Sequence, residues 1–136
     1  MKILQFTSLL FATVTIHAFY AQNIIYHNLS LLITVLSILT HGYNLEITNI
    51  PINNCCKNID KLVAHFTFCY VVFNDTPKIM QTQPLIIIFP LLLLTIWILE
   101  HMYPKNFIEL HSIFHLISIT SLHFYLYYLN LQKNYN

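Results

Sequence analysis

The run PLIIIFPLLLLTIWILEH, residues 84–101, decides the class of this protein. No ionisable side chain interrupts it before Glu100. Crossing the hydrocarbon of a bilayer takes about 20 apolar residues at 1.5 Å each, and an uncharged run of this kind reads as a membrane span. Pro84 stands at its start, where proline is tolerated. Pro90 stands inside it, where it is expected to free the carbonyl of Ile86 and kink the helix unless neighbouring groups satisfy it.

Working outward from this run, four further segments read as spans: 3–21, 24–43, 59–74 and 108–131. Little more than Gln22 and Asn23 separates the first two, which predicts a tight helical hairpin. The 59–74 segment is short. The last ends in Tyr125, Tyr127 and Tyr128, which suit the headgroup belt. The intervening stretches 44–58, 75–83 and 102–107 are polar linkers, and there is no internal repeat or low-complexity tract. The expectation is an all-α, polytopic transmembrane bundle of about five helices, forming a single integral membrane domain over residues 1–136.

Composition agrees with that reading. The chain is 57% hydrophobic and 8% charged, against about 45–50% and about 25% in soluble domains. So few charges cannot cover the surface of a small water-soluble fold. All six basic residues are Lys, the net charge is +1, and there is no basic run, so nothing points to nucleic acid. Cys55, Cys56 and Cys69 form no metal motif, and adjacent Cys55 and Cys56 are poorly placed to bridge each other. Lys2 before an apolar run also fits a signal peptide. A small-residue cleavage site is missing, since Phe19 stands two positions before Ala21 and Ile16 two before Ala18.

Ionisable groups inside a membrane are costly, so their depth carries information. If the five helices alternate in direction, His41, Asp60, Glu100, His101, His111 and His115 fall at helix ends on one side. His17, His27 and His123 fall on the other, without a carboxylate at similar depth, and read as interfacial or hydrogen-bonded core histidines. His65 lies about one and a half turns beyond Asp60, on a different face, and reads first as a packed histidine.

Within the convergent group, Ser37 and His41 share a helix face at i, i+4 spacing, as do His111 and His115. His111 and His115 can reach one zinc ion, with His41 from an antiparallel helix as the third nitrogen. Three His ligands leave a fourth tetrahedral position for water, whose pKa zinc lowers from 15.7 to about 7. Asp60 is a candidate to orient that water and shuttle its proton, and Ser37 to hydrogen-bond the water or an oxyanion. The competing reading has these histidines hydrogen-bonding between helices, at about 1 kcal/mol each.

The same residues resemble the membrane-hydrolase superfamily of adiponectin and progestin receptors, haemolysin III proteins and alkaline ceramidases. The resemblance rests on Ser37-x3-His41 near the end of one helix, Asp60 opening the next, and His111-x3-His115 opening the last. Glu100 to Pro104, then Phe107 and His111-Ser-Ile-Phe-His115, is similar to the receptor branch, as is His123-Phe124-Tyr125. Trp97-x2-Glu100 is closer to the ceramidases. The resemblance implies zinc on His41, His111 and His115, with Asp60 and Ser37 contacting the water on the metal. It also implies hydrolysis of the amide of a ceramide-like lipid or a related lipid carbonyl. The match covers roughly residues 37–78 and 97–131.

The superfamily has seven core helices, so the chain reads as a shortened form. Loss of two helices preserves parity and still brings His41 and His111 to one side. It also leaves a lipid cavity to be closed, which points to a homo-oligomer. The alternative function is a non-catalytic membrane protein, such as a viral relic of the family, that keeps a structural metal or binds membrane partners. A haem-binding bundle is a third reading; one Gly and four Ala leave little room for the macrocycle. The metal side would carry Lys2, Lys57, Lys61 and Lys105 and the far side Lys78 and Lys133, which favours a cytosolic site. The expected location is the endoplasmic reticulum or plasma membrane of a eukaryote or host cell.

Overall fold

The computed structural model describes residues 2–42 and 50–135, and they are almost wholly helical, with no strand among them. Helices α1 (Lys2–Tyr20) and α2 (Ile24–Gly42) form the expected hairpin. Its turn ends α1 with a Schellman cap: the Asn23 amide donates to the Ala18 carbonyl at 2.9 Å and the Gln22 amide to Phe19 at 3.0 Å. Gln22 takes the left-handed conformation, φ 51°. The Asn23 side chain then accepts the Tyr26 amide at 3.2 Å and caps the start of α2.

The third helix departs from the 59–74 expectation. Helix α3 (Ile50–Tyr70) starts nine residues earlier, and a π-helical turn (Val71–Asp75) joins it without a break to α4 (Thr76–Met80). Most of two stretches read as linkers, 44–58 and 75–83, is therefore helix; residues 43–49 lie outside the described residues. Pro77 explains the wide turn. Inside a continuous helix its ring would meet the carbonyl four residues back, and the π turn just ahead widens the ladder there. The Thr76 amide reaches back five residues, to the Val71 carbonyl.

Around Pro90 the helix changes type. Residues Pro84–Ile87 form a 3-10 turn and α5 (Ile88–Met102) begins at Ile88. Pro90 therefore stands in the first turn of α5, where amides have no intrahelical acceptor to lose. A second 3-10 turn (Pro104–Asn106) leads into α6 (Phe107–Tyr135).

The helices alternate in direction, and side-chain contacts fix the register. Thr7 meets His115 and Thr13 meets His123, so α1 and α6 run parallel and side by side. Among the described residues four helical segments, lying in α1, α2, the Pro84–Met102 stretch and α6 but not in α3, are long and apolar enough to cross a membrane, the architecture of a multi-pass membrane protein. Phe11, Val14 and Ala18 of α1 pack against Ile33 of α2 and Ile119, Leu122 and Leu126 of α6. Outside, Phe6, Ile16, Phe19, Leu85, Leu91 and Leu94 are exposed, an exterior suited to lipid rather than water. Hydroxyls on that exterior close onto their own helix: Thr95 donates to Leu91 and Thr120 to Leu116, each at 2.8 Å. Lipid offers them no other acceptor.

Candidate metal centre

Four helix ends meet on one side of the bundle: the start of α1, the end of α2, the end of α5 and the start of α6. The i, i+4 spacing on α6 sets His111 and His115 side by side on one face, their rings tilted and the centroids 4.6 Å apart. From α2, His41 sets its ring 5.3 Å from His111 and 5.6 Å from His115. One nitrogen from each of the three lies within 4.8 Å of the others. His115 is buried, and the Nε2 atom of His41 is buried too.

The outer nitrogens of the α6 pair are engaged. His111 Nδ1 lies 3.2 Å from Glu100 Oε1, and Glu100, at the end of α5, is itself buried. His115 Nδ1 lies 3.1 Å from the Thr7 hydroxyl, whose proton goes to the Leu4 carbonyl at 3.1 Å. The Glu100 carboxylate accepts, and Thr7 can accept from His115 while donating to Leu4, an arrangement that places a proton on Nδ1 of each ring. The Nε2 lone pair of each is left for a ligand, as metal-binding histidines require.

This donor set fits a zinc ion. Tetrahedral zinc with Zn–N of 2.0–2.1 Å holds its nitrogens about 3.3 Å apart. The nitrogens stand up to 4.8 Å apart, so a bound ion would draw them together by about 1.5 Å. Phe11 packs edge-on against His115 at 5.4 Å and Phe107 stacks on His111 at 4.9 Å, so apolar rings flank the cluster.

The other expected site residues fall nearby, in distinct settings. Ser37 lies one turn back from His41 and is almost fully buried; its hydroxyl donates to Ser8 Oγ at 2.8 Å, and Ser8 donates to the Leu4 carbonyl at 2.7 Å. With its proton committed there, Ser37 can accept a hydrogen bond but has none to give an oxyanion in this arrangement. Asp60 on α3 is half-buried and within electrostatic reach of His111. His101 is exposed, bonded to the Trp97 carbonyl at 2.8 Å, and His65 is exposed, bonded to the Lys61 carbonyl at 2.6 Å. Neither belongs to the cluster.

Two contributors escaped sequence reasoning. Glu100 was visible at the correct end without a role, and Thr7 gave no signal, because a lone Thr in an apolar helix has no diagnostic spacing. On the far side, His17 and His123 are hydrogen-bonded histidines as expected: their Nδ1 atoms lie 2.8 Å apart, and Thr13 holds His123 Nε2 at 3.0 Å. No protein-family model, curated protein or solved structure matches the chain.

Proposed function

We propose that the protein is a zinc-dependent membrane hydrolase that cleaves the amide of a ceramide-like lipid or a related lipid carbonyl. The observation that carries this reading is the convergence of His41, His111 and His115 with the Nδ1 protons of the α6 pair already committed to Glu100 and Thr7. The substrate class comes from the resemblance to the receptor, haemolysin III and ceramidase superfamily.

Each side chain then has a task. His41, His111 and His115 would hold the metal, and Glu100 would raise the basicity of His111 through its Nδ1–H. Zinc, when bound, supplies Lewis acidity and a hydroxide nucleophile near neutral pH. Asp60 takes the proton released from water and returns it to the leaving amine as the C–N bond breaks. Ser37 accepts a hydrogen bond from the attacking water. The lipid enters from the apolar exterior, and a second copy of the chain would close the cavity that two absent helices leave open.

The test is metal content by mass spectrometry after purification in mild detergent, followed by hydrolysis of ceramide. Wild type should carry about one zinc per chain and His111→Ala/His115→Ala none. Asp60→Asn should retain zinc and lose turnover. Absence of zinc from folded, metal-replete protein would overturn the proposal. Zinc without hydrolysis of any lipid amide would leave the non-catalytic reading, in which the metal only ties α2 to α6.

A further inference from the structure

At the end of the bundle opposite the histidine cluster, a recess of about 410 Å³ lies between the α1–α2 turn, the π turn and the C-terminal part of α6. Its size falls in the range of small-molecule sites. Ile24, Ile25 and Leu129 form an apolar wall, while Asn23, Gln132, Tyr70, Asp75, Lys78 and Lys133 supply its polar groups.

The polar part is built rather than incidental. Asp75, at the end of the π turn, is 2% exposed. Its Oδ2 accepts the Tyr26 hydroxyl at 2.8 Å, and its Oδ1 accepts the Asn74 amide at 2.9 Å. That buried carboxylate holds Lys78 Nζ at 3.4 Å, and Asn74 Oδ1 holds the same ammonium at 3.3 Å. Two acceptors on the wide turn thus fix a lysine at the rim, and Gln132 ties its backbone carbonyl to α6 at 3.3 Å. π turns of this kind recur at functional sites.

The sign of the charge selects the ligand. The lining side chains include two ammonium groups and one carboxylate, a net of +1, and the pairing of Lys78 with Asp75 leaves the Lys133 charge unoffset within the lining. The start of α2 adds the positive end of its dipole, although its Tyr26 amide is already taken by Asn23. We infer that this recess binds a phosphate group, with Lys78 and Lys133 as charged contacts and Asn23 and Gln132 as hydrogen-bonding partners. The chemistry is shared by a phospholipid headgroup and free phosphate. The apolar wall of Ile24, Ile25 and Leu129 would seat the first acyl carbons of a lipid.

The experiment uses the full chain in detergent, with native mass spectrometry as readout. Short-chain phosphatidylglycerol, diacylglycerol of the same chains and inorganic phosphate are added in turn. Wild type should hold one phosphatidylglycerol and no diacylglycerol. Lys78→Gln/Lys133→Gln should bind it at least tenfold more weakly. Lys61→Gln/Lys105→Gln, which removes the same charge elsewhere, should bind it as wild type does. Displacement of the lipid by inorganic phosphate assigns the site to free phosphate, and resistance to displacement assigns it to the headgroup. Equal binding by wild type and the Lys78/Lys133 variant, or equal uptake of diacylglycerol, would overturn the inference. Zinc measured in the same samples should be unchanged, so the two sites fail independently.

Discussion

Thr7 shows how little chemistry is needed to set a ligand's protonation. While its hydroxyl donates to Leu4, the oxygen can accept from His115. Replacing Thr7 with Val removes that acceptor while keeping the shape. Zinc affinity should fall about 10–100-fold, read by competition against a zinc chelator, whereas Thr7→Ser should retain most of it. Glu100→Gln keeps an acceptor for His111 but removes its charge, and the same titration should show a loss of about tenfold. The convergence of His41, His111 and His115 was legible because i, i+4 spacing and alternating helix direction are both readable from a sequence. Thr7 was not, because its contact joins residues 108 positions apart on helices that are not neighbours in the chain.

Elements show where local and tertiary physics diverge. The hairpin was legible from two polar residues between apolar runs, and the Schellman cap agrees. Gln22 occupies a left-handed position that costs a side chain about 1–2 kcal/mol. Gln22→Gly should therefore stabilise the protein by about 1 kcal/mol, seen as a higher thermal midpoint in detergent. The start of α3 was illegible because Asn53, Asn54, Lys57 and Asn58 read as a linker, and a helix that extends past the apolar zone needs no hydrophobic run there. The π turn was equally hidden, since Pro77 marks a break and does not say how the ladder absorbs it. Tyr26→Phe should destabilise by about 1–3 kcal/mol in the same melt, because Asp75 stays buried with one donor fewer.

For the whole molecule, alternating direction does most of the organising. It collects the histidine triad with Glu100 at one end, and Asp75, Lys78 and Lys133 at the other. This sorting was readable from five apolar segments, although the boundaries of the third were not. If zinc is resident, stability is linked to it: at free zinc about 1,000 times the dissociation constant, binding contributes about 4 kcal/mol. Chelation should lower the thermal midpoint of wild type and leave that of His111→Ala/His115→Ala unmoved. The pairing of α1 with α6 also bears on biosynthesis. The hairpin of α1 and α2 can assemble while the ribosome is still translating, but the partner of Thr7 lies on α6, which is inserted after α1 to α5. A nascent chain holding only the first five helical segments would expose Thr7 to lipid without His115, and the triad would have a single member. The cluster thus assembles only once α6 has joined the bundle, and a frameshift ahead of α6 would erase it while sparing most of the spans.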